Sequence, residues 1–255
     1  RLFNVSPEYV DQLTWLIKRD RNRPCVFMWS VFNEEPMQAT EAGNEMVRRM
    51  AAVVKDLDDS RLVTAAMNDG MFAPVNVSAT VDVMGFNYNQ DAYDRFHALH
   101  PTQPMTSSED TSAFQTRGAW ATDASRNVIN SDDTEKASWG VTHRAGWKAI
   151  AERPCIAGGF TWTAFDYHGE PTPHVWPSKS SYFGMMDLCG FAKTAFYIHQ
   201  AHWVEDRPIA VIAPHWNWPG QEGQPIKVMA ITNGDRVRFL LNGKQVAEGP
   251  VDRYE

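Results

Sequence analysis

Short apolar runs that alternate with amphipathic, helix-length stretches are the feature that most restricts the fold of this 255-residue chain. The first run, Cys25–Phe32, is almost continuously apolar, as in a parallel strand that is covered on both faces. Further strands are predicted at residues 61–66, 81–87, 105–108 and 155–163. Because helical patterns separate these strands, the sequence predicts βα units and a mostly parallel sheet.

Capping residues mark where the predicted helices begin. Ser6-Pro7-Glu8 combines a capping hydroxyl, a proline at the first helical position and an acid in the first turn. It predicts a helix that ends near Arg23-Pro24. Further helices are predicted at about residues 40–57, 91–99 and 134–152.

The pattern changes after about Val204, where short apolar runs are interrupted by prolines. Strands are predicted at residues 209–213, 226–232 and 237–241. Asn242-Gly243 follows the last of them and is a strong hairpin signal. This segment therefore predicts the opening strands of an antiparallel β-sandwich.

Acidic residues cluster where the predicted parallel strands end, which is the edge that carries the active site in βα architectures. Hydrolysis of a glycosidic bond with retention needs two carboxyl groups about 5 to 5.5 Å apart. For any single acid, a solvated or helix-capping role is the more ordinary interpretation. The candidates are Glu34, Glu35, Glu109, Asp110, Asp166 and Glu170.

Two of these strand ends carry a distinctive segment, Trp29-Ser-Val-Phe-Asn33-Glu34 and Thr106-Ser-Ser-Glu109. They resemble the fourth- and seventh-strand motifs of the bacterial β-galactosidases of glycoside hydrolase family 2. The resemblance implies that Glu34 is the general acid/base and that Glu109 is the nucleophile. It further implies that Asn33 binds the 2-hydroxyl of the sugar.

Gly85-Phe-Asn87-Tyr88 and the segment from Gly158 to Pro173 are similar to the sixth- and eighth-strand ends of the same family. The resemblance implies that the Tyr88 hydroxyl binds the nucleophile and that Trp162 lines the sugar site. Core packing of these two aromatic residues is the alternative. The predicted substrate-binding residues are Asn33, Asn87, Tyr88, Trp162, Asp166 and Glu170.

Asp166 and Glu170 have a second interpretation, as acids that fix the loop after the eighth strand. The segment from Gly184 to Lys193 matches the galactosidase branch, and the N-x-K motif of the glucuronidases is not found in the predicted barrel segment, residues 1–203. The expected reaction is hydrolysis of terminal β-D-galactosides by double displacement through a covalent glycosyl-enzyme. A β-glucuronidase, a β-mannosidase and a non-catalytic fragment remain alternatives.

The resemblance places the fourth to eighth strands of a TIM (β/α)8 barrel in residues 1–203. This is the C-terminal five-eighths of a barrel, and the first strands of an immunoglobulin-like β-sandwich follow in residues 204–255. The N-terminus has neither a starting Met nor a signal pattern, which predicts a piece of a longer enzyme. The location, bacterial periplasm or cytoplasm, stays open.

The overall charge favours a neutral partner. A net charge of −7 with scattered Lys and Arg argues against nucleic acid, and no apolar run is long enough for a membrane helix. A β-galactoside is the expected partner, and a homo-oligomer is left open. Neither HExxH nor CxxC occurs, so no metal or cofactor is expected, and the three cysteines are predicted to be buried free thiols.

Overall fold

The computed structural model describes residues 5–254, which form two compact units. The first unit comprises the described part of Arg1–Glu109 together with Ile150–Phe160. The second comprises Asp110–Ala149 together with the described part of Thr161–Glu255. The predicted domain limits at residues 1 and 255 lie outside the described residues.

A five-stranded sheet with its strands in chain order forms the framework of the first unit, and its first four strands pair in parallel. Its strands are β1 (Met28–Asn33), β2 (Leu62–Met67), β3 (Val83–Asn87), β4 (Met105–Thr111) and β5 (Ile156–Trp162), the last residues of β4 and β5 belonging to the second unit. The predicted α/β class with a parallel sheet is confirmed.

The register of this sheet brings the carboxyl ends of its strands to one edge. Asn33 lies opposite Ala66, and Asn87 lies opposite Glu109. The pairing shifts between Ser30 and Asn33, and again just before Asn87. Irregularities of this kind turn side chains away from the regular alternation, and here they occur at the strand ends that carry the candidate residues.

Three helices of the first unit begin close to their predicted starts: α1 (Pro7–Asp20), α2 (Glu41–Leu57) and α3 (Tyr93–Leu99). The Ser6 hydroxyl caps α1 by accepting from the Tyr9 amide at 3.2 Å, and the Thr40 hydroxyl caps α2 in the same way. Leu13 and Ile17 of α1 are buried, as is the regular apolar stripe of α2.

An aromatic cluster joins β3 to α3. The Phe86 ring meets Tyr93 edge-on at 5.0 Å and Phe96 at 5.4 Å, and all three side chains are fully buried. Behind β1, the Trp29 indole donates to Asp58 at 2.9 Å. Although burial favours the neutral acid, hydrogen bonds from Ser60, Trp29 and Arg61 hold the pKa of Asp58 well below its usual range.

One helix that the sequence predicts is shorter in the structure. α4 spans His143–Ala151, so the predicted helix over residues 134–152 begins about nine residues too early. Residues 135–141 run beside the end of β4 instead, where the Val141 amide donates to the Thr111 carbonyl at 2.7 Å. Gly140 permits this approach, because a Cβ there would lie 2.1 Å from the Thr111 oxygen.

The second unit also contains a helix that the sequence did not predict, α5 (Thr194–Trp203). Its apolar residues are nearly contiguous, so no helical period stands out. Ile198 packs against the antiparallel pair β6 (Ala210–Ala213) and β7 (Met229–Thr232).

A second antiparallel pair consists of β8 (Arg236–Leu241) and β9 (Lys244–Pro250). Asn242 and Gly243 form the predicted turn between them, with positive φ angles of 50° and 79°. The two pairs are consistent with the predicted sandwich strands.

The prediction of buried thiols is wrong. Cys25 and Cys189 are exposed and Cys155 is partly exposed, although all three are free as expected. Cys25 lies before Met28, the first residue of β1, so it is outside the strand and exposed to solvent. Within residues 5–254, no helix has the length and apolar character needed to cross a bilayer.

Two buried histidines form a pair in the second unit. His143 Nδ1 lies 3.0 Å from His199 Nε2, and both rings are almost completely inaccessible to solvent. Burial, with nearby Lys193 and Arg144, lowers the pKa of His143 to about 3. Burial and the neighbouring His143 also lower the pKa of His199. Both rings therefore stay neutral in the folded chain.

This pair predicts a loss of stability in mild acid. In the unfolded chain both histidines bind protons below about pH 6.5, whereas the folded chain resists this, so stability is lost as the pH falls. Between pH 7.5 and 5 the free energy of unfolding should fall by about 2 kcal/mol for His143, and His199 should add a fall in the same direction. Urea unfolding across this range should show a shallower pH slope for His143→Leu/His199→Leu, but an unchanged slope for the exposed-site control His168→Gln.

Candidate active site

One side-chain amide, that of Asn87 at the end of β3, contacts the ends of β1 and β4. Its Nδ2 donates to Asn33 Oδ1 at 3.0 Å and to Glu34 Oε1 at 2.8 Å. Its Oδ1 accepts from the Ser108 hydroxyl at 2.6 Å. Asn87 is fully buried, and these three bonds use both of its amide hydrogens.

The next residue, Tyr88, makes two hydrogen bonds to Glu109, one to its carboxylate and one to its backbone carbonyl. Its hydroxyl donates to Glu109 Oε2 at 3.1 Å, and its backbone amide donates to the Glu109 carbonyl at 2.7 Å. Consecutive residues of one strand end thus hold Glu34 and Glu109.

The backbone is unusual at two of these positions. Glu34 and Tyr88 have φ angles of 55° and 59°, in the left-handed region that residues other than glycine seldom adopt. The Glu34 amide donates to the Ala66 carbonyl of β2 at 3.1 Å, which fixes the turn at the end of β1. Such conformations persist where the surrounding bonds hold them, and they concentrate at functional sites.

Exposure separates residues that solvent can reach from those that support them. Asn33 is exposed, and Glu34 and Glu109 are half-buried, so a ligand can reach all three. Asn87 and Tyr88 are buried beneath them. The first unit thus brings together Asn33, Glu34, Asn87, Tyr88 and Glu109.

The remaining predicted residues lie in the second unit, where Trp162 and Glu170 belong to one chain of contacts. The Trp162 indole donates to the Tyr167 hydroxyl at 3.2 Å, and that hydroxyl donates to Glu170 Oε2 at 2.5 Å. The Trp162 and Tyr167 rings meet edge-on at 5.7 Å. Trp162 and Glu170 are both partly exposed.

Asp166 has the contacts of a loop-fixing acid. Its Oδ1 accepts from Lys193 Nζ at 2.7 Å and from the Gly184 amide at 2.9 Å. Lys193 is 1% exposed and also donates to the Gln115 carbonyl. Burial raises the pKa of Asp166, and the Lys193 ammonium opposes that rise.

Sequence reasoning missed three supporting residues, Ser108, Tyr167 and Lys193. Each lies inside or beside a segment that carries the family resemblance, but only its contact reveals its role. The position of Ser108 was the available signal, because it precedes Glu109, which lies opposite Asn87 across the strand pair. Among the described residues, no group of three or more His, Cys, Asp or Glu could hold a metal ion.

A parallel sheet with two held glutamates at its carboxyl edge is the arrangement of a barrel-type glycoside hydrolase. The family model described as glycosyl hydrolases family 2, TIM barrel domain, matches residues 4–184. The chain is 34% identical to the β-galactosidase BoGH2A of Bacteroides ovatus, over 96% of this chain and 34% of that protein. It is 27% identical to a β-glucuronidase of Bacteroides fragilis, over 95% of this chain and 36% of that protein.

A solved structure agrees with these matches. A β-glycosidase from Bacteroides vulgatus superposes with a TM-score of 0.78 at 28% identity, covering 96% of this chain and 34% of that one. The chain belongs to glycoside hydrolase family 2. It spans about a third of the length of these relatives.

Asp110, which follows Glu109, is a buried acid in the second unit. It is 3% exposed, and its Oδ1 has no hydrogen-bond partner among the described residues. Burial raises the pKa of Asp110 to about 7, and a hydrogen bond with the Thr161 side chain only partly offsets this. The carboxyl group is therefore largely protonated below neutral pH.

Replacing this acid should raise stability in alkali. Because the folded pKa of about 7 lies above the unfolded value, the contribution of Asp110 is present in acid and lost as the pH rises through 7. Asp110→Asn should therefore raise the free energy of unfolding by at most about 4 kcal/mol at pH 8, and by little at pH 4. Urea unfolding at both pH values checks this, with the exposed Asp206→Asn as the control; an equal effect at both would contradict it.

Proposed function

We propose that this chain carries the catalytic pair of a retaining β-glycosidase, with Glu34 as general acid/base and Glu109 as nucleophile. The observation that carries the proposal is that consecutive residues, Asn87 and Tyr88, hold the two carboxylates. Retention needs the two carboxyl groups about 5 to 5.5 Å apart, because the second carboxylate must itself attack the anomeric carbon.

The contacts support different roles for the two acids. The Tyr88 hydroxyl donates to Glu109, which favours the ionised form that a nucleophile needs. Glu34 protonates the leaving oxygen in the first step and activates water in the second. The buried Asn87 amide is occupied by protein partners, so it positions Glu34, while exposed Asn33 is left to bind the sugar.

The substrate we propose is a terminal β-D-galactoside. The relative at 34% identity is a β-galactosidase, and the segment that ends at Lys193 supports the same branch. The buried ammonium of Lys193 is paired with Asp166, so it is not available to a sugar carboxylate. A β-glucuronidase is the second candidate, since relatives of that name match at 27% identity.

Trapping and substitution test this assignment. A 2-deoxy-2-fluoro-β-galactosyl fluoride should form a covalent adduct on Glu109, located by mass spectrometry of proteolytic peptides. Glu109→Gln should abolish hydrolysis of a chromogenic β-galactoside, whereas Glu35→Gln should not, because Glu35 is the exposed neighbour outside the pair. Glu34→Gln should still cleave substrates with good leaving groups, and azide should accelerate that reaction, as expected for a missing acid/base.

Several outcomes would contradict the proposal. An adduct on another residue would remove Glu109 from its role. No turnover of aryl β-galactoside, glucuronide or mannoside by the unmodified chain would favour a non-catalytic fragment. Faster turnover of the glucuronide than of the galactoside would favour the second candidate, a β-glucuronidase.

The Tyr88 hydroxyl should matter mainly for the rate. Tyr88→Phe removes the donor to Glu109, and the loss of one such preorganised donor typically costs about 100-fold or more in kcat. KM should change much less, and thermal unfolding should show that the fold remains. Tyr9→Phe removes a hydroxyl that, within the described residues, donates to the Val31 carbonyl and to neither candidate carboxylate, and it should keep normal kcat. An equal loss in both variants would argue against a specific role for Tyr88.

A further inference from the structure

A cavity of about 350 Å³ lies beside α5 and β6, entirely within the second unit. Both proposed catalytic carboxylates belong to the first unit. The volume falls in the range of small-molecule sites. The side chains that line the cavity include Arg117, Phe191, Lys193, Tyr197, Ile212 and His215.

One wall continues into a set of stacked aromatic rings on the segment Pro-His-Trp-Asn-Trp-Pro, residues 214–219. The His215 ring stacks on Trp218 at 4.2 Å and 25°, and Trp120 meets Trp218 edge-on at 5.8 Å. His215 stands against Gly118, where a Cβ would lie 3.4 Å from the imidazole. Trp120 remains 41% exposed and Trp216 67% exposed. Such flat, partly exposed rings suit the apolar C–H face of a sugar.

Two of the lining side chains, Arg117 and His215, supply hydrogen-bond donors. Arg117 Nε donates to Asp187 Oδ2 at 2.6 Å, and its guanidinium lies over the Phe191 ring at 5.0 Å. Because Asp187 holds one side of the guanidinium, its other N–H groups are left to bind hydroxyls. The Asn217 amide donates to His215 Nδ1 at 3.1 Å, so Nδ1 is an acceptor and the hydrogen of this ring lies on Nε2.

The charges of the lining balance, which points to an uncharged ligand. Arg117 is paired with Asp187, and Lys193 is paired with Asp166. An acidic ligand would therefore meet no uncompensated cation among these side chains.

We propose that this cavity is a non-catalytic binding site for a neutral pyranose unit of an oligosaccharide. The pyranose stacks its C–H face against the outer face of the stacked His215–Trp218 pair, and its hydroxyls accept from Arg117. The exposed Trp120 and Trp216 extend the aromatic surface toward a neighbouring sugar. This site goes beyond the proposed hydrolysis and does not depend on it.

A titration that prevents hydrolysis tests the site. The protein carrying Glu109→Gln is titrated with β-1,4-galactotetraose, and binding is followed by isothermal calorimetry and by saturation-transfer NMR. The double variant Glu109→Gln/Trp218→Ala should bind galactotetraose with about tenfold lower affinity than Glu109→Gln alone. If the Glu109→Gln protein shows two binding components, the double variant should lose one of them. Trp15→Ala, an exposed tryptophan of the first unit, should leave the affinity unchanged.

Two further variants keep the test decisive if Trp218→Ala disturbs the fold. The Arg117 side chain is half-exposed, so Arg117→Met should weaken galactotetraose binding at least threefold without lowering the melting temperature. Trp218→Phe keeps an aromatic ring and should retain most of the affinity. Parent-like affinity in both Trp218→Ala and Arg117→Met would overturn the proposal. So would equal weakening by Trp15→Ala, and tighter binding of a uronic-acid disaccharide would overturn the neutral assignment.

Chromogenic turnover separates this result from the catalytic proposal. In the active chain, Trp218→Ala should hydrolyse a small aryl β-galactoside with kcat/KM within about twofold of the parent. If the chain is inactive but Trp218→Ala still weakens galactotetraose binding, the binding-site proposal stands and the hydrolase proposal fails. A loss of aryl-galactoside turnover in folded Trp218→Ala would place these rings in the catalytic site and overturn a separate one.

Discussion

The hydrogen bonds of the Asn87 amide are the interaction on which the candidate active site depends. They join three strand ends, because one side chain of β3 contacts Glu34 after β1 and Ser108 in β4. A neutral hydrogen bond contributes about 1 kcal/mol net, and one to a charged group contributes more. The specificity of the arrangement matters more than this energy, since both amide hydrogens are used and the group is fully buried. A shift of one residue in the strand register would separate all three partners.

Tyr88 extends the same constraint to the second carboxylate. The backbone bond from its amide to the Glu109 carbonyl belongs to the sheet, and the bond from its hydroxyl belongs to the site. One residue therefore couples the position of the strand to the position of the carboxylate. The sheet is the means by which two glutamates 75 positions apart in sequence, 34 and 109, are held by neighbours.

Most of the first unit was predictable because its local signals agree with its packing. Ser6 and Thr40 mark helix starts that the structure retains, and the apolar strands lie where their runs predicted. The strand-end residues were predictable for a geometric reason, since parallel strands align their carboxyl ends. Their division of roles came from the family resemblance, and their contacts from the structure.

The errors fall where tertiary contacts override local pattern. Residues 135–141 have helical character but lie along the end of β4, because Gly140 allows a close backbone approach. The run that forms α5 is apolar on several faces, so periodicity could not reveal it. The ion pair between Lys193 and Asp166 joins residues 27 positions apart, and no local rule predicts such a partner.

The left-handed backbone at Glu34 and Tyr88 has a consequence for how these positions can vary. Asn, Asp and Gly adopt that conformation most readily, whereas Glu and Tyr have no special preference for it. The backbone conformation at these two positions therefore favours Asn, Asp or Gly, but the chain has Glu34 and Tyr88 there. Under the proposed function, the side-chain contacts of Glu34 and Tyr88 give these two residues a reason that the backbone conformation does not supply.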